Sequence, residues 1–116
     1  MPTDFRDGTT FPRPGREKLA DVMWLARVSD KGRAFLAETI HDYIYPCPID
    51  RGVMEHWGIT REQFESALTA NADDASLLTW LTKTVPADRI AAANAWLVAE
   101  KSANMDRQDA EEGVVA

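Results

Sequence analysis

The run Tyr45-Pro46-Cys47-Pro48 constrains this chain more than any other part of it. A residue that precedes proline is pushed out of the α region, so Tyr45 and Cys47 are expected to be extended. Pro46 has no N–H to give, so the run cannot be a central strand either. The segment from His41 to Asp50, HDYIYPCPID, therefore interrupts whatever helix precedes it. Extended backbone alternates its side chains, which predicts His41, Tyr43, Tyr45 and Cys47 on one face. Asp42, Ile44 and Pro46 fall on the other.

On either side of this interruption the spacing is helical. Leu19, Val22, Met23 and Ala26 recur at intervals of three and four from Arg16 onward. Ser29 offers an N-cap with Asp30 in the first turn behind it, so residues 16–40 read as one bent helix or as two. Gly32 weakens a helix there, which suggests that something packs close to it. Asp50 is expected to cap a short helix, Arg51 to Trp57, that Gly58 ends. Thr60 and Gln63 fit a capping box, and Ile59 can staple onto Phe64, which predicts a helix to about Ala70. Asp73 caps the next helix, to about Lys83, and Val85-Pro86 opens the last one.

These elements define an all-α fold, a compact bundle of five or six short helices with an extended Pro-Cys-Pro connection. Residues 1–15 read as an irregular arm with Phe5 and Phe11 as anchors, and 16–102 as the helical domain. The acidic, aperiodic stretch 103–116 reads as a disordered tail. Apolar residues make up 45% of the chain, enough for a core without staples, and the single cysteine leaves no disulfide to form within the chain. That favours a reducing cytoplasm. No segment reads as a secretory signal or a membrane span. The net charge is −6, with the excess acid after residue 52 and no basic stripe, which argues against nucleic acid as a partner.

The polar-aromatic face supplies the candidate chemistry. Cys47 precedes a helix whose amides could lower a thiol pKa, His41 could serve as its base, and Tyr43 and Tyr45 could donate to an oxyanion. The plainer reading is a turn that packs half-buried aromatics and redirects the chain. Trp24, Arg27, Trp57 and Asp50 are the candidate ligand-binding residues. Trp24, Trp57, Trp80 and Trp96 are expected in the core, one per helix, with a stacking platform as the alternative. Arg27, Lys31 and Arg33, with Arg13 and Arg16, could gather a small anion; the plainer reading is surface charge paired with Asp21, Asp30 and Glu38. His41, His56 and one cysteine do not make a zinc pattern, so no metal site is expected. No phosphate loop, GxSxG, HExxH or dinucleotide fingerprint is present, so no cofactor is expected.

With FPRPGREKLADVMWLAR, DKGRAFLAETI and YIYPCPIDRGVMEHWGIT on view, the chain resembles a family of small bacterial proteins known as domain of unknown function 5069. The resemblance runs from about Phe11 to Leu97. Its most specific part is Tyr-x-Tyr-x-Cys-Pro-x-Asp, matched by Tyr43, Tyr45, Cys47, Pro48 and Asp50, and His41 lies outside it. It implies a short, intracellular, helical protein and carries no catalytic residues over. The leading expectation is a cytoplasmic domain that binds a small molecule or a partner through a pocket beside residues 41–57. The alternatives are a cofactor-independent lyase, isomerase or small hydrolase, and a homodimer joined through an exposed aromatic patch.

Overall fold

The computed structural model describes residues 4–113. The first three residues of the expected arm and the last three of the expected tail lie outside the described residues. Six helices follow one another: α1 (Leu25–Leu36), α2 (Pro48–Trp57), α3 (Arg61–Ala70), α4 (Asp74–Thr84), α5 (Ala87–Glu100) and α6 (Ser102–Glu111). Among the described residues there is no strand, only an isolated antiparallel bridge between Leu19 and Val22. The all-α bundle read from the sequence is the fold.

α1 is the axis of the molecule. Leu25, Val28 and Ala34 are buried, and so are Arg27, Ser29, Asp30 and Lys31, so this helix is enclosed on nearly every side. A helix in that position would ordinarily be apolar all round. Here its charges are buried, and each must find a partner. α1 packs on α3, where Gly32 brings the backbone to the Leu68 side chain; a Cβ at Gly32 would sit 2.6 Å from Leu68 Cδ1. α2 packs on α5, α3 on α4 and α5 on α6.

Two segments depart from the sequence reading. Residues 16–24 are not helical. Leu19 and Val22 exchange backbone hydrogen bonds, Ala20 has φ +52°, and the Trp24 amide donates to the Gly15 carbonyl at 2.9 Å. Ser29 is an interior residue of α1 rather than a cap, and its hydroxyl donates to the Ala26 carbonyl at 2.9 Å. Helical spacing at Leu19, Val22 and Met23 is real, but tertiary contacts outweigh a weak local preference. Residues 103–111, expected to be disordered, belong to α6, which buries Met105 in the core.

Elsewhere the local signals hold. Gly58 ends α2 in the left-handed region at φ +78°. Thr60 and Gln63 form the reciprocal capping box of α3, and the Asp73 carboxylate accepts the Ser76 amide at the start of α4. Each cap satisfies amides that a helix start would otherwise leave orphaned. Thr60→Ala is expected to lower stability by about 1 kcal/mol. Because the two side chains cap reciprocally, adding Gln63→Ala should cost less than Gln63→Ala costs alone, which urea denaturation of the single and double variants measures.

Candidate functional site

The segment before α2 turns twice. His41 takes φ +57°, turns fall at residues 41–42 and 45–46, and the Tyr45–Pro46 peptide bond is cis. Side chains alternate only along continuous extended backbone. These turns therefore dissolve the expected face, and its members find separate partners. His41 is exposed, with Nε2 3.3 Å from Asp42. The Tyr43 ring lies 5.1 Å from that of Phe5, beside the Glu112 carboxylate. Tyr45 is buried against Phe35, with ring centroids 5.3 Å apart, and its hydroxyl donates to Glu65 at 3.2 Å. Arg61 lies over both rings and pairs with Glu65. Cys47 faces the start of α2.

The start of α2 lies earlier than the sequence suggested. Asp50 was expected as the N-cap; instead Cys47 holds that place, Pro48 follows at the first helical position, and Asp50 is the third residue. Proline suits that first position because its missing N–H is an orphan there anyway. The Asp50 amide donates to the Cys47 thiol sulfur at 3.4 Å, and the Asp50 carboxylate accepts the Cys47 amide at 3.0 Å. This is a capping box in which sulfur replaces the usual hydroxyl oxygen.

The same carboxylate is the centre of a buried network. Asp50 is fully buried. Its Oδ1 accepts the Trp24 indole N–H at 2.7 Å, and its Oδ2 accepts Lys31 Nζ at 2.7 Å. Lys31 is itself buried. Trp24 stands immediately before α1 at φ +71°, a conformation rare for a bulky residue. That geometry costs about 1–3 kcal/mol and persists only where surroundings impose it. Here they do: the indole is bonded to Asp50 and packs tightly against Gly15, where a Cβ would sit 2.3 Å from the ring.

Arg27 lies over the Trp24 ring, 5.6 Å from its centroid. Its two terminal nitrogens donate to the two oxygens of Glu112 at 2.9 and 2.8 Å, a fork that fits a carboxylate. Both side chains are almost wholly enclosed. Arg13 shares its guanidinium between Asp30, at 3.0 Å, and Asp74, at 2.6 Å. Arg16 reaches Asp106 and Asp109 on α6, and Arg33 donates to the Asn71 carbonyl. The cationic cluster is therefore neither a solvated surface group nor an open anion site. Two of its members are buried, Asp30 is the partner of Arg13, and Asp74 and the acids of residues 106–112 complete it.

Of the expected binding residues, the structure joins Trp24, Arg27 and Asp50 in one connected group and adds Lys31, Cys47 and, through Glu112, Tyr43. Trp57 lies apart in the core, its ring 6.5 Å from that of Phe64. Trp80 and Trp96 are only partly buried. Lys31 was read only as one cation of a cluster, not as the partner of Asp50, and Glu112 was missed as a site residue. Nothing short-range marks Lys31 as buried, and Glu112 sits in a stretch whose composition reads as a tail.

Three surface cavities lie elsewhere. Two adjoin on α3: one of about 490 Å³ is lined by Leu36, Glu62, Glu65, Ser66, Thr69 and Ala70. The other, of about 480 Å³, shares Glu62, Ser66 and Ala70 and continues to Trp80 and Thr84. A third, of about 340 Å³, lies between the Ala20–Val22 turn and α5. None of these three is lined by residues 41–57, where a pocket was expected. Among the described residues no helix is long and apolar enough to cross a membrane.

A family model described as "Domain of unknown function (DUF5069)" matches residues 9–114. No curated protein matches the chain.

Two outcomes follow from this geometry. Removing the Asp50 carboxylate strands the Lys31 cation in the interior, so Asp50→Ala should cost about 3–5 kcal/mol in chemical denaturation. Asp42→Ala, at an exposed position, should stay within about 0.5 kcal/mol of the parent. Burial first, then the charge of Glu112, pushes the Tyr43 phenol up to about 12, and burial with Glu65 pushes Tyr45 well above the ordinary phenol value. A phenol held protonated by the fold adds stability that is intact below its unfolded pKa, about 10, and is lost as pH climbs through its folded pKa. Ultraviolet titration of these two tyrosines should thus show no phenolate step near pH 10 in the native protein and both steps there in denaturant.

Proposed function

The chain belongs to the family described as domain of unknown function 5069, and from that premise we propose that it is a protein-interaction module whose α3 groove takes a basic amphipathic segment of a partner protein. One observation carries the reading. The two cavities on α3 share a wall and open beside Leu36, which is 45% exposed at the end of α1. Phe35, 36% exposed beside Leu36, packs its ring at a tilt against Tyr45, and Ile44, next to Tyr45 in the chain, is 70% exposed. Contiguous exposed apolar surface is costly unless it is used. A groove flanked by helices is the usual seat of an amphipathic helix, read through anchors at spacings of three and four.

The rim selects the sign of the partner. Glu62 and Glu38 are exposed around the groove and the end of α1, and Glu65 already holds Arg61. With a net charge of −6, this surface favours Lys and Arg on whatever docks and disfavours phosphates. A second copy of the chain fits less well, because it brings the same acidic rim. The enzyme alternative, a cofactor-independent lyase, isomerase or hydrolase, has less to rest on. It needs Tyr43, Tyr45 and Cys47 around one point, and each of them serves a different neighbour. The reading has the module act in the cytoplasm, in keeping with Cys47 serving as a free thiol cap.

Selection from a displayed library of amphipathic helices tests this reading. Enriched sequences should carry apolar anchors one turn apart, flanked by Lys or Arg. Leu36→Asp should weaken their binding at least about tenfold, roughly 1.4 kcal/mol, without changing stability. Glu62→Lys should reverse the charge preference. An empty selection, or binders indifferent to both substitutions, would sink the proposal.

A further inference from the structure

A second feature stands apart from the groove: the buried guanidinium of Arg27 and the segment that covers it. The bottom of this site is preorganised. Trp24 lies beneath the guanidinium, fixed by Asp50 and Gly15, and the Arg13 carbonyl accepts from Arg27 Nη1 at 3.3 Å. Tyr43, backed by Phe5, forms an aromatic side wall, and its phenol stays protonated and bonds to Glu112. The top is different. It is Glu112, the residue that closes α6.

α6 is a weakly specified cover. It has no side-chain N-cap, no acid in its first turn and no base in its last. Glu111 and Glu112 crowd its C-terminal end, where the helix dipole disfavours negative charge. It is held by Met105, by packing on α5 and by the partly exposed pairs of Arg16. The fit over Arg27 is also incomplete. Arg27 Nε and Gln108 Oε1 are buried with no hydrogen-bond partner among the described residues. Gln108 lies one turn before Glu112, on the same face of the helix. A buried donor on Arg27 and a buried acceptor on the helix that covers it are thus each unmatched, and such groups are costly to leave so.

We propose that Arg27, stacked on Trp24 and flanked by Tyr43, is a binding site for small-molecule carboxylates with an apolar or aromatic body, and that Glu112 is its built-in occupant, displaced when the ligand binds. Arg27 reads two coplanar oxygens, as it now reads those of Glu112, and the neighbouring rings receive the apolar body. The exchange is one carboxylate for another, so no buried charge is left unpaired. Freed from Arg27, the acidic end of α6 opens into solvent, which relieves its unfavourable position on the helix dipole. The site lies apart from the α3 groove and does not depend on that reading.

Benzoate serves as the probe on the full chain. Hydrogen exchange of the amides of residues 106–112 should rise in benzoate and not in sodium chloride of equal ionic strength, while the rest of the chain keeps its protection. Glu112→Gln should bind benzoate at least about tenfold more tightly than the parent, and Arg27→Gln should not bind it. Exchange in α6 that is the same in benzoate and chloride, or that rises across the whole chain, overturns the proposal. So does a folded Glu112→Gln variant with no gain in affinity. Inorganic phosphate acting as strongly as benzoate would overturn the carboxylate assignment. The exchange measurement needs no substitution, so it decides the matter even if Glu112→Gln does not fold.

Discussion

One buried carboxylate organises this fold. Asp50 draws to itself the indole of Trp24, the ammonium of Lys31 and the amide of Cys47 that caps α2, and each belongs to a different stretch of chain. Burying a lone carboxylate is prohibitive, and burying it beside a cation is near break-even once desolvation is counted. What the arrangement fixes is placement. The carboxylate is acceptable in the interior only if α1 presents Lys31, α2 starts at Pro48 and Trp24 turns its indole inward. The left-handed backbone of Trp24 is the visible cost of meeting all three conditions at once.

The same logic repeats along α1. An enclosed helix that carries Arg27, Asp30 and Lys31 obliges other segments to come to it. Arg13 arrives from the arm to meet Asp30 and ties Asp74 of α4 to the same place. Glu112 arrives from α6 to meet Arg27. The apolar core supplies most of the driving force, as in any small domain. The charges decide which segment covers which part of the central helix.

The sequence was most legible where a cap or a glycine decides a boundary within a few residues. Thr60 with Gln63, Asp73 and Gly58 mark helix ends that occur where expected. It was least legible where distant residues decide. Leu19, Val22 and Met23 are spaced as a helix, yet Trp24 is held by Asp50 from 26 residues away, and the chain before it bends to comply. Residues 103–111 lack a capping residue and a clear apolar repeat, and fold because Met105 and Glu112 have somewhere to dock. The candidate site shows the same division. Trp24, Arg27 and Asp50 were singled out and do meet, but their charges are balanced by Lys31, read only as one cation of a cluster, and by Glu112, which no local pattern marked. The alternating face of Tyr43, Tyr45 and Cys47 failed because alternation presumes unbroken extension, and His41 with the turn at residues 45–46 breaks it.

The capping thiol has a practical consequence. A lone, partly accessible cysteine invites use as an attachment point for dyes, spin labels or surfaces. At Cys47 the sulfur is already an acceptor, held by the amide of the residue that anchors the interior. A conjugate there would crowd the sulfur that caps α2 and press on the Asp50 cluster. A probe attached at this position would report on a perturbed molecule, and an engineered cysteine on the exposed face of α5, such as at Val98, is the sounder handle.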